Sequence, residues 1–234
     1  MRTDHARTTA FVAGTLYLVT FVSSIPAALY LLTPVLDDPG YILGAGSDTR
    51  VLWGCLLDVV NAFAGIGTAV ALFPVMKKYG ESAALGFVTS RTIEAAVVMI
   101  GVVSLLGIVT LKQNGAGADP DTMVATGRSL VAVRDWTLLL GPGLMPAFSA
   151  LLLGSLMYRS RLVPRIIPMM GLVGGPLLMA SVVGTLFGHV GQFSSVGSLL
   201  ALPVAAWELS LGIYLVVKGF KPVAAASREP VLVA

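Results

Sequence analysis

Cysteine and histidine are almost missing from this chain of 234 residues, which has one cysteine, Cys55, and two histidines, His5 and His189. A single thiol allows no disulfide within the chain. Without a His-x-x-x-His or Cys-x-x-Cys spacing there is no ligand set for a zinc or haem centre. Charge is scarce too: 12% of residues are charged, where a soluble domain carries about 25%. No Gly-x-Ser-x-Gly segment is present, and Ser155 has no histidine at its depth, which disfavours a serine hydrolase. No phosphate-binding glycine loop appears either, so neither metal nor cofactor is expected.

What the chain has instead is apolar length. Hydrophobic residues make up 56%, and mean hydropathy is +0.88. Six apolar runs, at about 8–32, 51–76, 83–111, 136–158, 166–187 and 197–217, each reach or exceed the roughly 20 residues that cross a bilayer. They do not alternate as barrel strands do, and backbone hydrogen bonds in hydrocarbon must close within each segment, so helices are expected. The fold class is an all-α polytopic integral membrane bundle of six transmembrane helices. One domain is expected over residues 1–221, with 222–234 as a mobile cytoplasmic tail. Arg2 and Arg7 precede the first run in the manner of a signal peptide. Its length of about 25 residues exceeds a signal core of roughly 7–15, and it reads as a retained helix.

The distribution of Lys and Arg sets the expected orientation. Arg2, Arg7, Lys77, Lys78, Arg159, Arg161, Arg165, Lys218, Lys221 and Arg228 fall on one side. Arg50, Lys112, Arg128 and Arg134 fall on the other, mixed with aspartates. The positive-inside rule therefore puts both termini in the cytoplasm and the protein in the plasma (inner) membrane, multi-pass. The pI near 9.2 reflects this topology, and no nucleic-acid partner is expected; membrane lipids are. Thr33–Arg50 reads as an irregular outer loop. In Lys112–Asp135 the Asp119-Pro120-Asp121 signal starts a short helix that is expected to lie along the outer surface. Gly171 with Gly175, and Ala180 with Gly184, form small-residue rows in the fifth helix, suited to bundle packing or to an oligomer contact.

Charges inside the spans need a reason, because each costs roughly 2.5–3.5 kcal/mol at the bilayer centre. Glu208 falls near the midplane of the sixth helix beside Trp207. A lone glutamate at that depth is expected to be held as the neutral acid, either as a proton or cation site or as a packing acid. Asp58, with Asn61 one turn deeper, is expected to form a polar pocket or an interhelical hydrogen-bond cluster. Arg91 and Glu94 lie three apart on one helical face and read as a structural ion pair, with Arg91 reaching the inner headgroups. At the outer face, Arg134 and Asp135 read as a solvated boundary pair next to Trp136. His189 reads as a loop histidine with a ligand or proton role as the alternative.

Several stretches resemble a bacterial family of small integral membrane proteins, the one catalogued as domain of unknown function 4386. They are Arg7-Thr8, Leu72–Ala95 (LFPVMKKYGESAALGFVTSRTIEA), Tyr158–Arg165 (YRSRLVPR) and Gly171–Leu178 (GLVGGPLL). The resemblance implies a six-helix membrane bundle and no activity. Three functions follow from the residues: a bundle that binds or transports a small lipophilic or cationic ligand through a buried acid, a membrane-embedded acid–base enzyme acting on a lipid or isoprenoid, or a structural or regulatory subunit. The enzyme requires two of Asp58, Glu94 and Glu208 to meet in one pocket.

Overall fold

The computed structural model describes residues 2–115, 117–192 and 194–222. Apart from Pro222, the tail expected at 222–234 lies outside the described residues. Among those described there is no strand, and six helices are long and apolar enough to cross a membrane. They are α1 (Arg2–Pro26), α2 (Asp48–Met76), α3 (Glu81–Asn114), α4 (Pro120–Ser160), α5 (Ile166–Leu186) and α6 (Ser195–Val217).

The six helices form a closed ring in chain order. Each packs on the next, and α6 returns to pack on α1. The α1–α6 seam closes tightly because glycines face each other: a Cβ on Gly14 would fall 2.7 Å from the Gly212 carbonyl oxygen. Arg7 of α1 donates to the Val216 and Val217 carbonyls, at 3.0 and 3.2 Å, and so satisfies backbone acceptors at the C-terminal end of α6.

One end of the ring carries the α2–α3 and α4–α5 turns with Lys77, Lys78, Arg159, Arg161 and Arg165. We call this the basic end, and the opposite end, with the longer connections, the loop end. The halves pack differently. Toward the basic end, Tyr17, Leu72, Phe87, Leu153, Leu156, Trp207 and Leu211 belong to one core, all within 1% of full burial. Toward the loop end, a second core gathers Val51, Ala62, Val98, Leu105 and Ile108 of α2 and α3 beneath Val35, Tyr41 and Ile42 of the first loop. That second core leaves the other side of the ring hollow.

Helix irregularities cluster around the hollow. After Pro26, α1 passes into a π turn at Ala27–Leu31, and α4 is interrupted by a π turn at Leu139–Gly143 that contains Pro142. Pro176 lies inside α5 and Pro203 inside α6. Proline lacks an N–H and crowds the preceding turn, so each of these positions loosens the helical ladder.

Two connections differ from expectation. The segment from Pro120 forms no separate surface helix. It starts with Asp119 as N-cap, whose carboxylate accepts from the Thr122 N–H at 2.9 Å, and runs through the π turn into the spanning part of α4. Gly127 and Arg134 on it are buried against the bundle, which holds it there. The first loop, expected to be irregular, contains helical turns at Thr33–Asp37 and Tyr41–Leu43. It is pinned by Asp48, which accepts from the Tyr41 hydroxyl at 2.9 Å and pairs with Lys112 at 2.7 Å. Burial first, and then the hydrogen bond to Asp48, push the Tyr41 phenol well above its ordinary value.

Candidate functional site

Spacing alone places Arg91 deep in the bundle. It lies about ten residues, or roughly 15 Å, from the start of α3 at Glu81. Glu208 is about nine residues from the basic end of α6, so the two side chains stand at one height on facing sides of the ring. The structure joins them. Arg91 Nη2 is bonded to Glu208 Oε1, and Arg91 Nη1 donates to Glu94 Oε2 at 3.0 Å. Arg91 is 4% exposed, so its guanidinium does not reach the headgroups. The expectation of a snorkelling arginine is corrected, and so is that of a lone Glu208.

The base of the cluster is dry and aromatic. The Arg91 guanidinium lies 5.4 Å from the Tyr17 ring and 6.0 Å from the Phe87 ring. Among the described residues, Arg91 Nε, the Tyr17 hydroxyl and Trp207 Nε1 are buried without a hydrogen-bond partner. Trp207 is seated on Gly171, where a Cβ would fall 2.6 Å from the indole. The small-residue row of α5 is thus used within one copy: Gly171 takes Trp207, Gly174 takes Pro203, and Gly175 takes Leu151 and the Ala147 carbonyl. The height of α3 is fixed beside Arg91 by Ser90, which donates to the Met145 carbonyl at 3.0 Å and accepts from Ser149 at 3.1 Å.

Above this base opens a cavity of about 340 Å³. It runs from Arg91, Glu94 and Glu208 to Thr185, Gln192 and Gly197 at the loop end. Its walls are largely apolar, with Phe21, Leu138, Leu139, Leu178, Val182 and Val204 among them. Thr20, Ser24 and Ala28, four apart, line it from α1; Ser181 and Thr185, four apart, line it from α5. Asn61 of α2 lines both this cavity and a small side pocket shared with Thr20, Gly65, Arg91 and Glu94.

The charge count of the cluster is uneven. One guanidinium faces two carboxyl groups, and Arg91 engages one oxygen of each. The second oxygens, Glu94 Oε1 and Glu208 Oε2, have no hydrogen-bond partner among the described residues and are not sealed from the cavity. Two unclaimed acceptors in an apolar chamber favour a donor with positive charge.

A second buried pair lies nearer the loop end. Arg134 Nη2 of α4 donates to Asp58 Oδ2 of α2 at 2.7 Å, with side-chain exposures of 4% and 7%. Arg134 therefore forms no boundary pair with Asp135; it turns inward over Gly101, where a Cβ would meet its Cδ at 3.0 Å. Asp58 is closed off by that partner and lines none of the cavities described here, so it belongs to an interhelical cluster. Asp135 is exposed beside a hollow of about 150 Å³ under the first loop. His189 is exposed in the α5–α6 turn, away from the charged cluster. Among the described residues, no three His, Cys, Asp or Glu side chains are grouped to hold a metal ion.

Fold and site together define a helical membrane protein with a charged chamber inside a six-helix ring. The family model described as Domain of unknown function (DUF4386) matches residues 12–219, and the chain belongs to that family. No curated protein and no solved structure matches it.

Proposed function

We propose that the protein binds, and passes across the plasma (inner) membrane of a bacterium, a small lipophilic or cationic molecule held by Glu94 and Glu208. The observation that carries this reading is the apolar cavity ending on two carboxyl groups that share one arginine. The basic end faces the cytoplasm with both termini, as the Lys and Arg distribution favours. The cavity then opens outward, and the aromatic and aliphatic core around Tyr17, Leu72, Phe87 and Trp207 seals its inner side. Broken helices around a central charged site are a recurrent feature of transporters, and α1 and α4 are each interrupted by a π turn here.

An acid–base enzyme is the second reading. It is favoured by the convergence of Glu94 and Glu208 on one chamber, although Asp58 stays outside it. The structural or regulatory subunit reading draws nothing from Gly171, Gly174 and Gly175, which α4 and α6 of the same chain cover, and keeps only the exposed Ala180 of the second row.

The test is native mass spectrometry of protein released from membranes, wild type beside Glu208→Gln. Wild-type protein is expected to retain a small molecule that the variant loses. An empty wild type, or equal retention by both, would count against the reading. For orientation, an impermeant maleimide applied to intact cells is expected to label Gln192→Cys and to leave Arg161→Cys unlabelled, with Cys55 silent because it is buried. The reverse pattern would turn the topology over.

A further inference from the structure

Ammonium groups differ in how many N–H donors they carry, and several free acceptors stand at the charged end of the chamber. Glu94 Oε1 and Glu208 Oε2 are two. The third is the Asn61 side-chain carbonyl, which lines the same cavity, shares the side pocket with Glu94 and has no partner among the described residues. Thr20 and Thr185 already donate, to the Tyr17 carbonyl at 2.7 Å and the Ser181 carbonyl at 2.9 Å, and their oxygens, with the Ser24 and Ser181 hydroxyls of the same cavity, add only neutral acceptors. Above the acceptors, the apolar wall suits a hydrocarbon body rather than a hydrated ion.

Resting on the proposed function, we infer that the ligand is a primary amine with an apolar body, and that its ammonium exchanges with one proton on the Glu94–Glu208 pair. The charge balance requires the second half. With no ligand, Arg91 neutralises one carboxylate, and the other is neutral when it carries a proton. An ammonium that takes that place releases the proton to water, and the total charge in the chamber stays the same. No covalent bond other than O–H changes.

The titratable groups that face the exchange site are few. Helix α3 supplies Arg91 and Glu94, α6 supplies Glu208, and α1 supplies Tyr17 beneath the guanidinium. Among the described residues, α2 contributes Asn61, α4 contributes Leu138, Leu139 and Pro142, and α5 contributes Leu178, Ser181 and Thr185. None of these titrates. Asp58 and Arg134 neutralise each other at the neighbouring level and stand outside the exchange. Release is therefore assignable to the glutamates. In each single variant Glu94→Gln and Glu208→Gln, Arg91 keeps one carboxylate, so neither leaves it unpaired.

Isothermal titration of the full chain in lipid nanodiscs tests this with four probes of one body: hexylammonium, protonated N,N-dimethylhexylamine, hexyltrimethylammonium and 1-hexanol. Repeating each titration at pH 7 in buffers of different ionisation enthalpy counts the protons released. Hexylammonium is expected to bind tightest, about tenfold ahead of the quaternary ion, which has no N–H to give. One proton is expected to leave per hexylammonium bound. Glu94→Gln and Glu208→Gln are each expected to abolish that release, and Asn61→Leu to narrow the preference for the primary amine while release persists. Hexylammonium binding without proton release would overturn the exchange and leave the cation site of the proposed function intact. Equal affinity for hexylammonium and hexyltrimethylammonium would overturn the primary-amine assignment. Binding of 1-hexanol as tight as that of hexylammonium would overturn the inference and leave a lipophilic ligand for the proposed function, whereas no binding of any of the four would count against both.

Discussion

Replacing Asp58 by Asn keeps the shape of the side chain and an oxygen that can accept from Arg134, but removes the charge. The structure allows the cost to be worked out. Arg134 is 4% exposed, and its Nε and Nη1 already lack partners, so among the described residues Asp58 is the one carboxylate in direct contact with it. Truncating one side of a buried pair costs about 3–5 kcal/mol in soluble proteins. In a bilayer the scale is lower, because an uncompensated arginine at mid-depth costs about 2.5–3.5 kcal/mol and an interhelical hydrogen bond averages only about 0.6. We expect Asp58→Asn to destabilise the bundle by about 3 kcal/mol, from the arginine term. Arg134→Gln should cost a similar amount by leaving the buried aspartate without its partner. The double variant has a neutral amide pair in the same space and should lose less than either single change, with a coupling of about 2 kcal/mol or more. Equilibrium unfolding in mixed lipid–SDS micelles, followed by circular dichroism, gives all three values. Single costs below about 1 kcal/mol that simply add in the double variant would refute the buried-pair reasoning.

Two further outcomes are expected. Gly171→Ala would drive a methyl into the Trp207 indole, at 2.6 Å from a fully buried ring, and overpacking of this kind costs about 1–3 kcal/mol. Gly107→Ala, whose Cβ would sit 3.6 Å from Leu130, should be near neutral in the same melts; equal effects would show that Trp207 has room to move. At the start of α4, hydrogen bonds from Thr122 hold the exposed Asp119 carboxyl below its ordinary value of 3.8. A lowered carboxylate stabilises the fold above its unfolded value, and that contribution is lost as pH falls through the lowered one. Amide exchange in the first turn after Pro120, taken relative to that of an unstructured chain at the same pH, should therefore be slow at neutral pH and quicken only in acid. Asp119→Ala should give the fast rate at both, and an unchanged rate in that variant would remove Asp119 as the cap.

The spans were readable because a bilayer demands a length of apolar chain, and that demand is written residue by residue. Partners were harder, since the helical ring brings together positions more than a hundred residues apart. Depth could have supplied one of them. Arg91 and Glu208 are nearly equidistant from the basic ends of their helices, and opposite charges at equal depth in helices of one bundle are natural partners. Reading Arg91 as a side chain that reaches the inner headgroups hides this. Asp58 and Arg134 both lie toward the loop ends of their helices, and pairing Arg134 with its sequence neighbour Asp135 misses this. The direction of a helical side chain cannot be read from adjacency, and consecutive residues point about 100° apart. The cavity had a fainter signal in Thr20 with Ser24 and Ser181 with Thr185, small hydroxyl pairs four apart on otherwise apolar helices. The α5 glycines were legible as close-packing positions, whereas the helix they pack against was not.

The return of α6 onto α1 has a consequence for how the molecule is made. A chain inserted from its N-terminus delivers α3 to the bilayer long before α6, so Arg91 first has Glu94 alone as a partner. Until the last helix arrives, the wall bearing Glu208 is missing, the Gly14 face has nothing to meet, and the aromatic base around Trp207 cannot form. The chamber is thus the last part of the protein to exist. An unfinished chain holds the Arg91–Glu94 pair without the chamber, so the cavity appears only once all six helices are together.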